Sequence, residues 1–156
     1  MLREKRLIDM GIELPAPAAP LAMFVPVKRI GNALFVSGQI PVKGGELLYT
    51  GKVGTQHALE EAQEAAKLCI INLLSVLKGF LGDLDKVKSV VKIQAFVNSE
   101  TGFDKQHLVV NAASQMLYDV FGEAGRHART AVGTNQLPLD AMVEIEAIIE
   151  IDDTAE

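Results

Sequence analysis

The chain has 156 residues, 49% of them hydrophobic and 22% charged, with a formal net charge of −5 and a pI near 5.2. That length suits one domain with a full core, and those proportions exclude a disordered chain. The acidic balance, the 5% aromatic content and the lack of Trp argue against nucleic-acid binding, which needs clustered cations and stacking surfaces.

Residues 1–10 predict a short helix, with Leu2, Leu7 and Met10 roughly helical in spacing and Gly11 just past its end. Arg3, Lys5 and Arg6 lead into the mixed run Leu7-Ile8-Asp9-Met10, not into an apolar secretion core. L-P-A-P-A-A-P at 14–20 can be neither helix nor central strand, so it is expected to run extended over the surface. Residues 1–23 are therefore read as an extension made of a short helix and a proline-rich tether, and 24–156 as a single domain. The longest apolar stretch, Ala16 to Val27, is interrupted by three prolines and is too short to span a bilayer. A lone Cys69 cannot form an internal disulfide, which fits a reducing, cytoplasmic setting.

Phe24 to Ile30 and Ala33 to Ser37 read as two strands joined by a Gly31-Asn32 hairpin turn. A loop through Pro41 and Gly44-Gly45 follows, then a short strand from Glu46 to Tyr49. The strongest helix runs from His57 to about Lys78, with Leu59, Ala62, Ala66, Cys69, Ile70, Leu73, Leu74 and Leu77 on one stripe. Lys88 to Val97 alternates as a strand, with Val91, Ile93, Ala95 and Val97 on one face and Lys88, Val90, Lys92, Gln94 and Phe96 on the other. Thr101 and Asp104 resemble a capping box that opens a second helix to Phe121, its stripe made by Leu108, Ala112, Met116 and Val120 with Leu117 and Phe121 beside them.

From Ala128 the pattern predicts a short strand, a turn through Pro138-Leu139-Asp140 and a long strand. In the latter, Val143, Ile145, Ala147, Ile149 and Ile151 share a wholly apolar face; Met142, Glu144, Glu146, Ile148 and Glu150 share the other. The carboxylate face is either simply solvated or lines a cleft or subunit interface. An antiparallel hairpin centred between Gln136 and Leu137 sets Arg129 opposite Glu144. A guanidinium and a carboxylate at one place suit a small anionic substrate, the first gripping a carboxylate, the second steering water or a proton.

The order β-β-(β)-α-β-α-β-β predicts an α+β fold with one sheet and two helices on one face. The bare face then carries Val90, Phe96, Met142 and Ile148, which favours a closed homo-oligomer with clefts at its boundaries. No phosphate-binding, dinucleotide-binding or nucleophile-elbow motif occurs. His57, His107 and His127 lack metal-ligand spacing and read as surface or capping residues; Ser37 has no evident histidine base.

S-G-Q-I-P at 37–41, preceded by G-N-A-L-F-V, and A-R-T-A-V-G-T-N-Q-L-P-L-D-A-M-V-E-I-E-A-I at 128–148 resemble the signatures of the Rid (reactive intermediate deaminase) family. That family is also called YjgF-type or L-PSP endoribonuclease. The resemblance spans about residues 24–151. It implies a chorismate-mutase-like mixed sheet, a homotrimeric barrel with clefts between subunits, and no metal or organic cofactor. It further implies hydrolysis of 2-imino or enamine acids to 2-oxo acids and ammonia. Arg129 matches the family's carboxylate-binding arginine, Glu144 its water-activating glutamate, Ser37 its cleft serine, and Asn111, offset by one residue, a cleft-lining asparagine. Ala131 stands where active members carry a cysteine, so only its backbone can meet a ligand, and Phe24 replaces a tyrosine. Two other readings follow from these departures and from the family's older name: a non-catalytic small-carboxylate binder, and a ribonuclease, against which the acidic composition and the lack of a histidine pair argue.

Overall fold

The computed structural model describes residues 1–20 and 22–152. Leu21, in the expected tether, and residues 153–156, at the end of the expected domain, lie outside the described residues. The elements in chain order are α1 (Leu2–Asp9), β1 (Val27–Ile30), β2 (Ala33–Gln39), β3 (Val42–Lys43), β4 (Glu46–Leu47), α2 (Leu59–Leu81), β5 (Val87–Asn98), α3 (Gln106–Phe121), β6 (Ala128–Thr134) and β7 (Val143–Ile151).

The main sheet is mixed, in the order β1-β2-β7-β5-β6, and β3-β4 form a separate two-stranded ribbon. β7 runs antiparallel to β2 and β5 on either side, whereas β6 joins β5 in parallel through the crossover helix α3. Residues of α2 and α3 form a single core with the inward residues of the sheet. β7 shows the clean alternation expected of a half-covered strand: Val143, Ile145, Ala147, Ile149 and Ile151 are buried and the residues between them half-buried. Each fully buried Val or Ile contributes roughly 1.5–3 kcal/mol, so this one edge of alternation sets the orientation of the whole sheet.

Several expectations need correction. Val90 and Met142, expected on the bare face, are 1% and 0% exposed and belong to the core. For Val90 the reason is a pair of register shifts against β7, between Val87 and Ser89 and between Val90 and Lys92; Met142 lies just ahead of β7, outside its alternation. Each shift flips the side-chain alternation, so Val87 and Val90 face inward with Ile93, Ala95 and Val97, while Val91 is exposed. α3 starts at Gln106, its N-terminus carries no side-chain cap, and its core stripe is Val109, Val110, Ala113, Met116, Leu117 and Val120. Met116, Leu117, Val120 and Phe121 are buried as expected, while in the first turns Val109, Val110 and Ala113 take the place of Leu108 and Ala112, which leaves the face of Asn111 and Ser114 free. β1 begins at Val27, three residues later than predicted, and α2 continues through Gly79 to Leu81, with Gly82 in the left-handed region at φ 79° as its cap.

The N-terminal extension docks on the helices. Leu7 of α1 is buried, Arg6 Nη1 donates to the Val120 carbonyl at 2.9 Å, and the Arg3 guanidinium lies 4.9 Å from the centre of the Phe121 ring. A Cβ on Gly79 would stand 2.9 Å from Pro17 Cγ, so the bare glycine is the notch through which the tether approaches α2. Among the described residues, no helix is long and apolar enough to cross a membrane.

Candidate functional site

Register along β6 aligns Arg129 with Ile93, a core-facing residue of β5, so Arg129 rises on the helix-covered side. There Nη1 donates to Asn111 Oδ1 at 2.9 Å and to Ser114 Oγ at 3.2 Å, and Nη2 to the His107 carbonyl at 3.5 Å. Asn111 and Ser114, three residues apart on α3, share one helix face. All three acceptors are neutral; among the described residues no carboxylate pairs with this guanidinium. A cation held by dipoles alone keeps its charge available for an anion.

His127 precedes β6 and completes this cluster. Its Nδ1 lies 2.6 Å from the Gly125 carbonyl oxygen, and its Nε2 lies 2.9 Å from Ser114 Oγ. A carbonyl can only accept, so Nδ1 carries the hydrogen, and in the neutral ring Nε2 accepts from the Ser114 hydroxyl. Burial holds the imidazole below its ordinary pKa and the Arg129 charge pushes the same way, against the Gly125 hydrogen bond, which raises it. Asn111, Ser114, Tyr118, Arg126, His127 and Arg129 line a cavity of about 530 Å³.

Glu144 occupies the opposite face, aligned with Phe96. Burial raises its carboxyl pKa, and the neighbouring Glu146 charge adds to the shift. Beside it β2 changes register between Val36 and Gln39, and Gly38 sits in that irregularity. A Cβ there would lie 3.0 Å from Glu144 Cδ and 3.2 Å from Oε1. Glycine is thus what lets the carboxyl lie against the strand. Ser37 Oγ donates to the Val25 carbonyl at 2.7 Å, tying the segment before β1 to this bend. Phe24, 55% exposed, borders with Gly38 a cavity of about 430 Å³ beneath the proline-rich segment.

The predicted hairpin between Arg129 and Glu144 does not form, because β5 lies between β6 and β7. Arg129 aligns with Ile93 and Glu144 with Phe96, two strand spacings across and three residues along. Their backbones are therefore roughly 14 Å apart, with side chains on opposite faces. The chain can make this step because residues 135–142 pass over the end of β5. Buried Asn98 holds that connection, accepting from Lys52 Nζ at 3.0 Å and donating to Asp140 Oδ1 at 3.0 Å and to the Ala141 carbonyl at 3.1 Å. Leu139 and Asp140 take left-handed conformations there, at φ 59° and 57°.

One protomer therefore holds two half-sites: Arg129 with Asn111 on the helix side, and Glu144 by the Ser37–Gly38 bend on the open side. Ala131 aligns with Ala95 and packs against the core. Sequence reasoning missed Ser114, His127 and Gly38. The i, i+3 spacing of Asn111 and Ser114 was a usable signal; the approach of His127 depends on how α3 returns to β6 and leaves no local trace. The remaining metal-type cluster among the described residues, Glu4, Asp83 and Asp85, lies at the foot of α1, where the Met1 ammonium contacts Asp83 at 3.8 Å and bonds Asp85. It is remote from both half-sites and already has a cation.

Residues 4–151 match the family described as "YjgF/chorismate_mutase-like, putative endoribonuclease". The chain is 46% identical over 143 residues to protein TCP17 of Trypanosoma cruzi, covering 91% of this chain and 89% of that protein. The crystal structure of Agrobacterium tumefaciens Atu1372, a protein of unknown function, superposes with a TM-score of 0.91 at 47% identity, covering 97% of this chain and 93% of the other. A 2-iminobutanoate/2-iminopropanoate deaminase of Dermatophagoides farinae is 29% identical over 148 residues, covering 95% of this chain and 98% of that enzyme. With its mixed sheet, its two helices on one face and both signature segments in place, the chain belongs to the YjgF/chorismate-mutase-like family.

Proposed function

We propose that the protein hydrolyses small 2-imino or enamine acids to 2-oxo acids and ammonia, at clefts completed by a second copy of the chain. The observation that carries this reading is Arg129, a guanidinium held by neutral acceptors alone on the wall of an open cavity. Such a group binds a carboxylate in a bidentate fork. The reaction it suits has a second requirement, a base for water. Glu144, whose carboxyl burial has made more basic, supplies it. Glu144 takes a proton as water adds to the C=N carbon and returns it to nitrogen; it then carries the proton of the new hydroxyl to the same nitrogen, and ammonia leaves as the carbonyl forms. Asn111 fixes the arginine, while Ser37, Phe24 and the backbone at Ala131 shape the cleft. The likeness to an imine deaminase at 29% identity supports the same chemistry.

Because the two groups face apart within a protomer, the reading requires a homo-oligomer, and we infer a trimer whose open sheet faces pack together as a barrel. Phe35, Val132, Ile148 and Phe96 on that face are partly exposed apolar groups suited to such burial. The experiment is enzymatic generation of 2-iminopropanoate and measurement of its decay. Arg129→Ala and Glu144→Gln are each expected to lower the protein-dependent rate at least 10²-fold. Co-refolding the two variants restores about a quarter of the sites if each cleft takes its arginine and its acid from different copies. Wild-type protein that leaves the decay unchanged rules out catalysis, and variants that fail to complement rule out the shared cleft.

A second reading, a non-catalytic sensor of small carboxylates, is favoured by Ala131 and Phe24, which lack the thiol and the hydroxyl of the family pattern. Saturable thermal stabilisation by a 2-oxo acid, without imine turnover, is its signature.

A further inference from the structure

We propose that Ser114 and His127 form a nucleophile–base pair that cleaves small carboxylic esters bearing a negative charge, beside Arg129 and apart from the chemistry of Glu144. The geometry has the three parts a serine nucleophile needs. Ser114 Oγ lies 2.9 Å from His127 Nε2, within reach for proton transfer. His127 Nδ1 is tied at 2.6 Å to the Gly125 carbonyl, which fixes the tautomer whose free nitrogen accepts from serine. This carbonyl takes the orienting place that a carboxylate holds in a serine–histidine–aspartate triad. Arg129 Nη1, 3.2 Å from Ser114 Oγ, is a fixed cationic donor at the point where a carbonyl oxygen would gain charge. All three side chains line the same 530 Å³ cavity.

The surroundings select the substrate. Arg126 and Arg129 are the charged groups on the cavity wall, and Arg126 is tied to Glu123 at 3.5 Å. An ester with a carboxylate a few bonds from its acyl carbon can place that anion on Arg126 while its acyl carbon meets Oγ and its carbonyl oxygen meets Arg129. Ser114 Oγ then bonds the acyl carbon as its proton passes to Nε2. The bond to the leaving alcohol breaks, and the alcohol departs with that proton. A water, deprotonated in turn by Nε2, releases the acid and restores the serine. A buried imidazole held below its ordinary pKa stays neutral at pH 7, as a base must.

The test is phenylmethylsulfonyl fluoride, with peptide mass mapping of the purified full chain. A stable adduct on Ser114 is expected, absent in Ser114→Ala and formed about 10²-fold more slowly in His127→Gln. Labelling is expected to fall on the acid side of the ordinary histidine range. In parallel, 4-nitrophenyl hydrogen succinate is expected to release nitrophenol faster than 4-nitrophenyl acetate, a preference lost in Arg126→Gln. Circular dichroism melts establish that each variant is folded. Folded wild-type protein with Ser114 unmodified, or labelling indifferent to His127→Gln, overturns the pair. A succinate preference that survives Arg126→Gln overturns the assignment of the anion.

Discussion

Arg129 and Glu144 occupy opposite faces of one sheet, and their surroundings differ in kind. On the helix-covered side the cation is held by Asn111 and Ser114 of a single helix, with a histidine behind them oriented by a backbone carbonyl. That side is preorganised by the fold of one protomer. On the open side the acid rests against a glycine, next to another acid and among half-exposed apolar residues, so its environment is unfinished. The difference teaches that one half of the candidate chemistry is built by folding, while the other, on the proposed reading, is completed by a second copy of the chain.

Gly125→Ala is the sharpest way to break the helix-covered side. The added Cβ would stand 2.3 Å from the Leu117 carbonyl oxygen and 2.7 Å from its carbon, backbone that cannot yield without moving α3. A loss of about 3 kcal/mol in urea unfolding is expected, and an unchanged midpoint would contradict the rigidity argued for this side. Phe35→Asp probes the other face. Phe35 is 44% exposed in one protomer, so folding should lose less than about 1 kcal/mol. Association should weaken roughly a hundredfold or more, as a charge enters the packed interface. Light scattering that finds the same oligomer in both proteins removes the open face from the interface.

Glu144→Gln gives the smallest effect on stability and the most diagnostic one. A carboxyl whose folded pKa lies above its unfolded value binds more protons in the native state. Stability is therefore lost as pH rises through the interval between the two values. Glutamine should raise the Tm by about 2 °C or less above that interval and leave it unchanged well below, where both states are protonated. A gain of equal size at acid pH would show that the carboxyl is not the cause.

Much of this was legible in the residues, and the exceptions have physical reasons. From Val143 to Ile151 β7 could be read as it lies because its alternation is unbroken, whereas Met142, just ahead of the strand, could not. β5 could not, since a bulge between Val90 and Lys92 inverts a period-2 pattern without leaving a mark on the residue types. The supposed hairpin from β6 to β7 failed because adjacency in sequence was taken for adjacency in space. Nothing local announces that β5 intervenes, and the clues, buried Asn98 and the left-handed pair Leu139-Asp140, acquire meaning only with the sheet order in hand. Arg129 and Glu144 drew notice as charges among apolar neighbours. Ser114 and His127 did not, because each is ordinary alone and their meeting is a property of the α3–β6 return.

The sheet order also constrains how the chain folds. β7, the last of the described strands in chain order, inserts between β2 and β5, so the β1-β2 hairpin and the β5-α3-β6 unit stay separate until the ribosome has delivered it. Until then both nascent pieces present unpaired strand edges, a hazard that slow synthesis prolongs. A stalled or prematurely terminated chain would be a substrate for chaperones, not a smaller working protein.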